Sequence, residues 1–152
     1  MIDHTPFMSQ AMTLAQAAFD SNEVPVGAIV LAADGKTVIG AAHNAPLSAN
    51  DPTAHAEILA IRQAAQTLGN YRLVDCTLYV TLEPCTMCAG AIANARIKYL
   101  VYGAADAKGG AVKNGVQFFE QPSCHHKINV TDNIMAEASS QLLRKFFQNR
   151  RK

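Results

Sequence analysis

The chain has no basic, apolar leader at its N-terminus, which reads MIDHTPFMSQ. It also has no apolar stretch near the ~20 residues needed to span a bilayer. The first absence argues against secretion and the second against a membrane partner, so a soluble cytoplasmic protein is expected. Net charge is almost absent as well: 13 Lys and Arg stand against 12 Asp and Glu, a balance of +1. A nucleic-acid partner would therefore have to be met by a local patch rather than by the field of the whole molecule. Cysteines are few, four in 152 residues, and in a reducing compartment they serve as thiols, metal ligands or catalysts rather than as cross-links. A chain of this length buries a core without such staples, and one domain over residues 1–152 is expected.

What is present reads as alternating strands and helices. Thr5-Pro6 followed by apolar residues at helical spacing predicts a helix over 6–20. Two β-branched runs, 24–32 and 37–44, flank Asp34-Gly35, a strong short hairpin signal. Residues 43–52 read as loop. A helix opens within DPTAHAEILAIRQAA (51–65) and ends at Gly69-Asn70; a strand (76–82), a helix (86–95) and a strand (97–104) follow. Loops and a short helix are expected over 105–128, a weak strand in INVTDN, and a terminal helix with a basic end. Right-handed crossovers make the later strands parallel, and the hairpin completes a mixed sheet in an α/β fold.

Two short patterns carry chemistry. Pro84, Cys85 and Cys88 form P-C-x-x-C where a strand runs into a helix, so both thiols lie at a helix start, whose positive end favours thiolates. Alone, that motif fits a redox pair, satisfied core cysteines or a metal site. His55 shifts the balance, because zinc accepts two thiolates and an imidazole and, in a catalytic site, leaves its fourth position to water. Glu57 stands two residues from the imidazole, about 200° away around a regular helix. The two side chains can still converge if both sit at the helix mouth, with His55 on the metal and Glu57 on the attacking water. With five His and five Glu in the chain, shuffling yields H-x-E about 0.2 times and P-C-x-x-C about 0.003 times. Their joint appearance therefore points to a site. Thiol-disulfide exchange at Cys85 and Cys88 remains an alternative, as does a structural zinc module closed by Cys76, Cys124, His125 or His126. Otherwise Cys76 reads as a buried thiol and Cys124 as an exposed one.

H-x-E followed by P-C-x-x-C is the established signature of the zinc-dependent nucleobase deaminases. The stretches EVPVGAIV, HNAPL, NDPTAHAEILAIRQAA, NYRLVDCTLYVTLEPCTMCAGAI, ARIKYLVYGAADAKGGA and LLRKFFQNRR extend the likeness along nearly the whole chain, where it resembles the bacterial tRNA-specific adenosine deaminases. That resemblance implies a three-layer α/β/α cytidine deaminase-like fold with a mixed five-stranded sheet, a homodimer, and conversion of the wobble adenosine of a tRNA anticodon loop to inosine. It implies one Zn²⁺ held by His55, Cys85 and Cys88, with Glu57 moving protons. It places Asn44 on the purine edge and the backbone of Val26 and Ala56 along the base pocket. Asp106 and Lys108 fall against the flanking nucleotides, and Phe146 and Phe147 on a helix covering the anticodon loop. The chain departs from the pattern at Ala105, where a basic residue often stands, and over 120–128. Arg144, Lys145, Arg150, Arg151 and Lys152 read equally as a phosphate-binding face or a solvated terminus. The alternative within the same chemistry is a deaminase of a free base or nucleoside, of guanine or cytosine type.

Overall fold

The β-branched runs form a five-stranded sheet in the computed structural model, which describes residues 2–150. In chain order the elements are α1 (Thr5–Asp20), β1 (Gly27–Leu31), β2 (Val38–His43), α2 (Pro46–Ala49), α3 (Ala56–Leu68), β3 (Thr77–Leu82), α4 (Thr86–Asn94), β4 (Tyr99–Ala104), a 3-10 turn η1 (Phe118–Glu120), β5 (Asn129–Thr131) and α5 (Ala136–Arg150). The strands lie in the order β2-β1-β3-β4-β5. β1 pairs antiparallel with β2 and β3, whereas β3, β4 and β5 run parallel. The mixed sheet expected from the order of elements is therefore present.

Both faces of the sheet are covered. Because side chains alternate along a strand, Ala28, Val30, Leu78, Val80, Leu100 and Tyr102 face one layer, where Ala56, Ala60 and Ala64 of α3 and Ile92 of α4 meet them. Ile29, Leu31, Tyr79 and Val101 face the other, against Met8 and Ala11 of α1. The helix α5 joins that second layer: the buried Ser139 hydroxyl donates to the Thr81 carbonyl at 2.6 Å. Small residues set how closely the layers approach. A Cβ on Gly27 would lie 2.0 Å from the Ala11 carbonyl oxygen of α1, and one on Gly40 2.2 Å from that of Ala60 in α3.

Several local expectations shift, each for a physical reason. The first strand starts only at Gly27, since Pro25 cannot donate to a ladder and the Val26 N–H turns back to Val24 O. The hairpin is closed by residues 33–36 rather than by two residues. There the Asp34 carboxylate accepts from the Lys36 and Thr37 N–H groups and the Thr37 hydroxyl, while Gly35 takes φ +71°. Residues 43–52, expected as loop, contain the single turn α2. The opening of the next helix is also later than its sequence signal. Asp51 spends its Oδ1 on the Thr53 N–H and hydroxyl, which makes a turn, and the helix begins at Ala56.

Candidate metal centre

That delay decides where the histidine points. His55 is the last extended residue before α3 (φ −75°, ψ 152°), and Cys85 holds the same position before α4 (φ −77°, ψ 177°). A capping residue lies outside its helix, so its side chain reaches past the helix end rather than sideways. α4 starts just past the end of β3, the central strand, and the start of α3 comes to meet it there. Cys88 follows Cys85 by three residues and returns on the same side of the first turn.

The three side chains meet. His55 Nδ1 lies 3.6 Å from Cys85 Sγ and 3.4 Å from Cys88 Sγ, and all three atoms fall within 4.8 Å of one another. A tetrahedral zinc, with bonds near 2.0–2.1 Å to nitrogen and 2.3 Å to sulfur, requires N···S separations of about 3.6 Å. The donors already stand at that spacing, so they fit the ion. Among the described residues no other group of three His, Cys, Asp or Glu is so arranged.

Electrostatics within the cluster agree with a cationic occupant. The Cys88 thiol, followed by the His55 imidazole, pulls the Cys85 thiol down to about 4 against the opposing effect of burial. Cys88 is pushed the other way, because its thiolate would adjoin that of Cys85 and the carboxyl of Glu57 in a buried setting. A divalent cation removes the repulsion and lets both sulfurs ionise. Glu57, in the first turn of α3, is 4% exposed. Burial raises its carboxyl to about 7, the range in which a group can both take and give a proton near neutrality.

Asn44 joins the segment before β1 to the start of α3. Its backbone N–H donates to Val26 O at 3.0 Å, and its Oδ1 accepts the Ala56 N–H at 2.7 Å. The three residues thus stand together, and the bond from Ala56 satisfies one of the free donors at the start of α3.

Glu23, which the sequence reading missed, anchors the segment after Asn44. Its carboxylate is 2% exposed and accepts from the Leu47 and Ser48 N–H groups and the Ser48 hydroxyl. Burial alone would raise its pKa, but the Ser48 and Leu47 bonds outweigh that and hold it below 4.5. A group with a depressed folded pKa stabilises above its unfolded value and loses that contribution as pH falls through the folded one. Glu23→Gln should therefore lower stability by about 1–3 kcal/mol at neutral pH. The gap to the parent should close below 4.5, as read by denaturant unfolding at a series of pH values; a gap that widens in acid contradicts the assignment.

Of the remaining predicted residues, Asp106, Lys108 and Phe147 lie together. A cavity of about 740 Å³ lies between the end of β3, residues 105–108 and α5, with Leu82, Asp106, Lys108, Arg144 and Phe147 in its wall. Asp106 partly serves its own loop, its Oδ1 accepting the Lys108 and Gly109 N–H groups. Phe147 is 46% exposed. Phe146, expected beside it over the anticodon loop, instead turns inward: it is 4% exposed and packs edge-on against Phe19 of α1. The cations of α5 also have partners within the protein. Arg144 pairs with Glu137, Lys145 lies over Phe19, and Arg150 lies over Phe146 and donates to Asn22; Arg151 and Lys152 fall outside the described residues. The segment 123–126 forms no second metal cluster, because His126 bonds to Ile97 O and the part-buried Cys124, expected to be exposed, donates to His126 O. Cys76 is a buried thiol, as expected.

Glu83 was also missed. It occupies a buried position directly before Pro84, and its one sequence signal is an acid immediately after a strand, TLYVTL, that carries no charge.

The MafB19-like deaminase family matches residues 2–151. A tRNA-specific adenosine deaminase of Agrobacterium fabrum is 51% identical over 151 residues, 99% of this chain and 98% of its own. A solved structure from a study of A-to-I editing at the wobble position of transfer RNA is 49% identical, with a TM-score of 0.88, over 91% of this chain and 99% of that one. A guanine deaminase of Bacillus subtilis is similar at 32% identity and a TM-score of 0.66, over 97% of this chain and 95% of that one.

Proposed function

Since the chain belongs to the MafB19-like deaminase family, we propose that it is a tRNA adenosine deaminase, which hydrolyses the exocyclic amine of the wobble adenosine in a tRNA anticodon and leaves inosine and ammonia. The observation that carries the chemistry is the convergence of His55, Cys85 and Cys88 at tetrahedral spacing beside the buried Glu57. The preference for adenosine in tRNA over a free base follows the relatives, about half identical for the tRNA enzymes against 32% for the guanine deaminase.

His55, Cys85 and Cys88 would hold one Zn²⁺. When bound, that ion supplies the Lewis acidity that makes a water molecule nucleophilic near neutral pH. Glu57 is not among the three ligands, and its role is proton transfer: it takes one proton of the attacking water and delivers it to the ring nitrogen beside the reacting carbon, then takes the second, from the hydroxyl now on that carbon, and passes it to the amine, which leaves as ammonia while the carbonyl forms. Asn44, fixed through its Oδ1, presents its amide nitrogen to the purine edge, with the backbone of Val26 and Ala56 beside it. Lys108, Asp106 and Phe147 line the cavity that receives the nucleotides around the target. Phe146 contributes by pinning α5 to α1.

The adenosine must leave its stack to reach such a pocket. That costs a few kcal/mol, least for an unpaired nucleotide, and an anticodon loop satisfies the requirement. The family resemblance further supports a single deaminase domain acting as a cytoplasmic homodimer. No described helix is long and apolar enough to cross a membrane.

Incubation with a tRNA bearing adenosine at the wobble position should yield inosine there, detected by nucleoside analysis. Faster turnover of free guanine, cytosine or a nucleoside would assign the site to the alternative substrate class.

A further inference from the structure

Glu83 accepts five hydrogen bonds, and every donor comes from one loop. Oε1 takes the Asp106 N–H at 2.9 Å and Asn114 Nδ2 at 2.7 Å; Oε2 takes the N–H groups of Val112, Lys113 and Asn114 at 3.0, 2.9 and 3.0 Å. A carboxylate offers about four lone-pair sites, so this one is saturated, and it is 2% exposed. Asp106 Oδ1 orders the first turn of this loop, Lys113 pairs with Asp132 and Val112 packs into the core, but Glu83 is the one side chain that bonds both its ends, Asp106 and residues 112–114. The loop contains Gly109, Gly110 and Gly115, and glycine-rich backbone loses the most freedom on folding. A Cβ on Gly110 would stand 2.5 Å from Glu83 Cδ, so the absence of a side chain there lets the loop close over the acid. The Ala111 N–H then bonds to Pro84 O at 2.9 Å, tying the same loop to the turn that carries Cys85.

We propose that Glu83 is a positioning residue for the nucleic-acid substrate: it straps residues 106–114 to the Cys85 turn and so fixes Lys108 and Asp106 at the mouth of the cavity before RNA arrives. The inference rests on the deaminase reading above and deepens it. Glu83 touches neither the substrate nor the metal. Releasing the strap leaves the loop to be ordered at the moment of binding, which weakens substrate engagement without altering the chemical step.

The experiment compares wild-type protein with Glu83→Gln, which keeps the shape but turns an amide toward N–H donors. Each full-length, zinc-loaded protein is assayed on an anticodon stem-loop carrying wobble adenosine. For Glu83→Gln we expect KM to rise on the order of tenfold with kcat within about twofold. One zinc should remain per chain, and amide hydrogen exchange should quicken over 106–114 while α4 stays protected. Asn114→Ala removes a single donor and keeps the test open if the glutamine protein folds poorly; its KM should rise about threefold. Because Lys108 acts through the same loop, Lys108→Ala should cost less in the Glu83→Gln background than alone. Zinc lost in step with activity, a fall in kcat at unchanged KM, or additive effects with Lys108→Ala would each overturn the inference. A zinc-loaded wild type that makes no inosine overturns instead the deaminase reading on which it rests.

Discussion

Glu57→Ala and its isostere Glu57→Gln are expected to retain one zinc ion per chain while kcat for inosine formation falls by about 10²- to 10⁴-fold, the range that a positioned general acid–base supplies. The reason lies in the geometry at the mouth of α3. His55 precedes the helix and reaches past its end, so it can serve the metal, whereas Glu57 is held in the first turn at 4% exposure with no place in the ligand triangle. Glutamine fills the same space and cannot carry the proton. In the zinc-free protein stability should hold or rise for Glu57→Gln, because burial disfavours the ionised form of Glu57, and an amide carries no such charge. Metal analysis, unfolding and single-turnover kinetics on the same preparations separate these effects. Loss of zinc equal to that in Cys85→Ala would make Glu57 a ligand and overturn the division of labour.

His55→Ala and Cys88→Ala should fail in the opposite way, losing the metal first and the activity with it. Even partners that only support a ligand are worth 10- to 100-fold in metal affinity, so removing a ligand should cost more than about 100-fold. Stability should follow. At a free zinc concentration 100 times Kd, binding contributes about 2.7 kcal/mol to the folded state, and the variants forfeit it. Melting curves with and without added zinc should separate widely for the parent and coincide for the variants. A chelated parent should behave like the variants and recover when zinc is restored. Normal zinc in Cys88→Ala, or a reversible Cys85–Cys88 disulfide in a parent without zinc, would favour thiol-disulfide chemistry.

The site is unevenly legible in the chain. H-x-E and P-C-x-x-C were legible because they are short, local and improbable by chance. The reason they work was less accessible: Asp51 had to form a turn instead of capping a helix before His55 could sit outside α3. Phe146 and Phe147 are indistinguishable in sequence, adjacent and alike, yet a rotation of about 100° around the helix sends one into the core against Phe19 and leaves the other on the cavity wall. Glu23 and Glu83 were invisible as anchors, because a lone acid carries no pattern. Their partners lie 23 to 31 residues away, in loops whose course depends on the whole sheet.

The sequence by itself determined the order of strands and helices, the antiparallel hairpin followed by parallel strands, and the choice of His55, Cys85 and Cys88 as candidate ligands. Periodicity, turn residues and ligand chemistry are properties of short segments. The tertiary structure alone decided that two helix mouths meet past the end of the central strand, that nitrogen and sulfur stand 3.4 and 3.6 Å apart, and that buried carboxylates hold the loops around them. Those are distances between segments remote in the chain, and only the packing of α3 and α4 against a common sheet sets them.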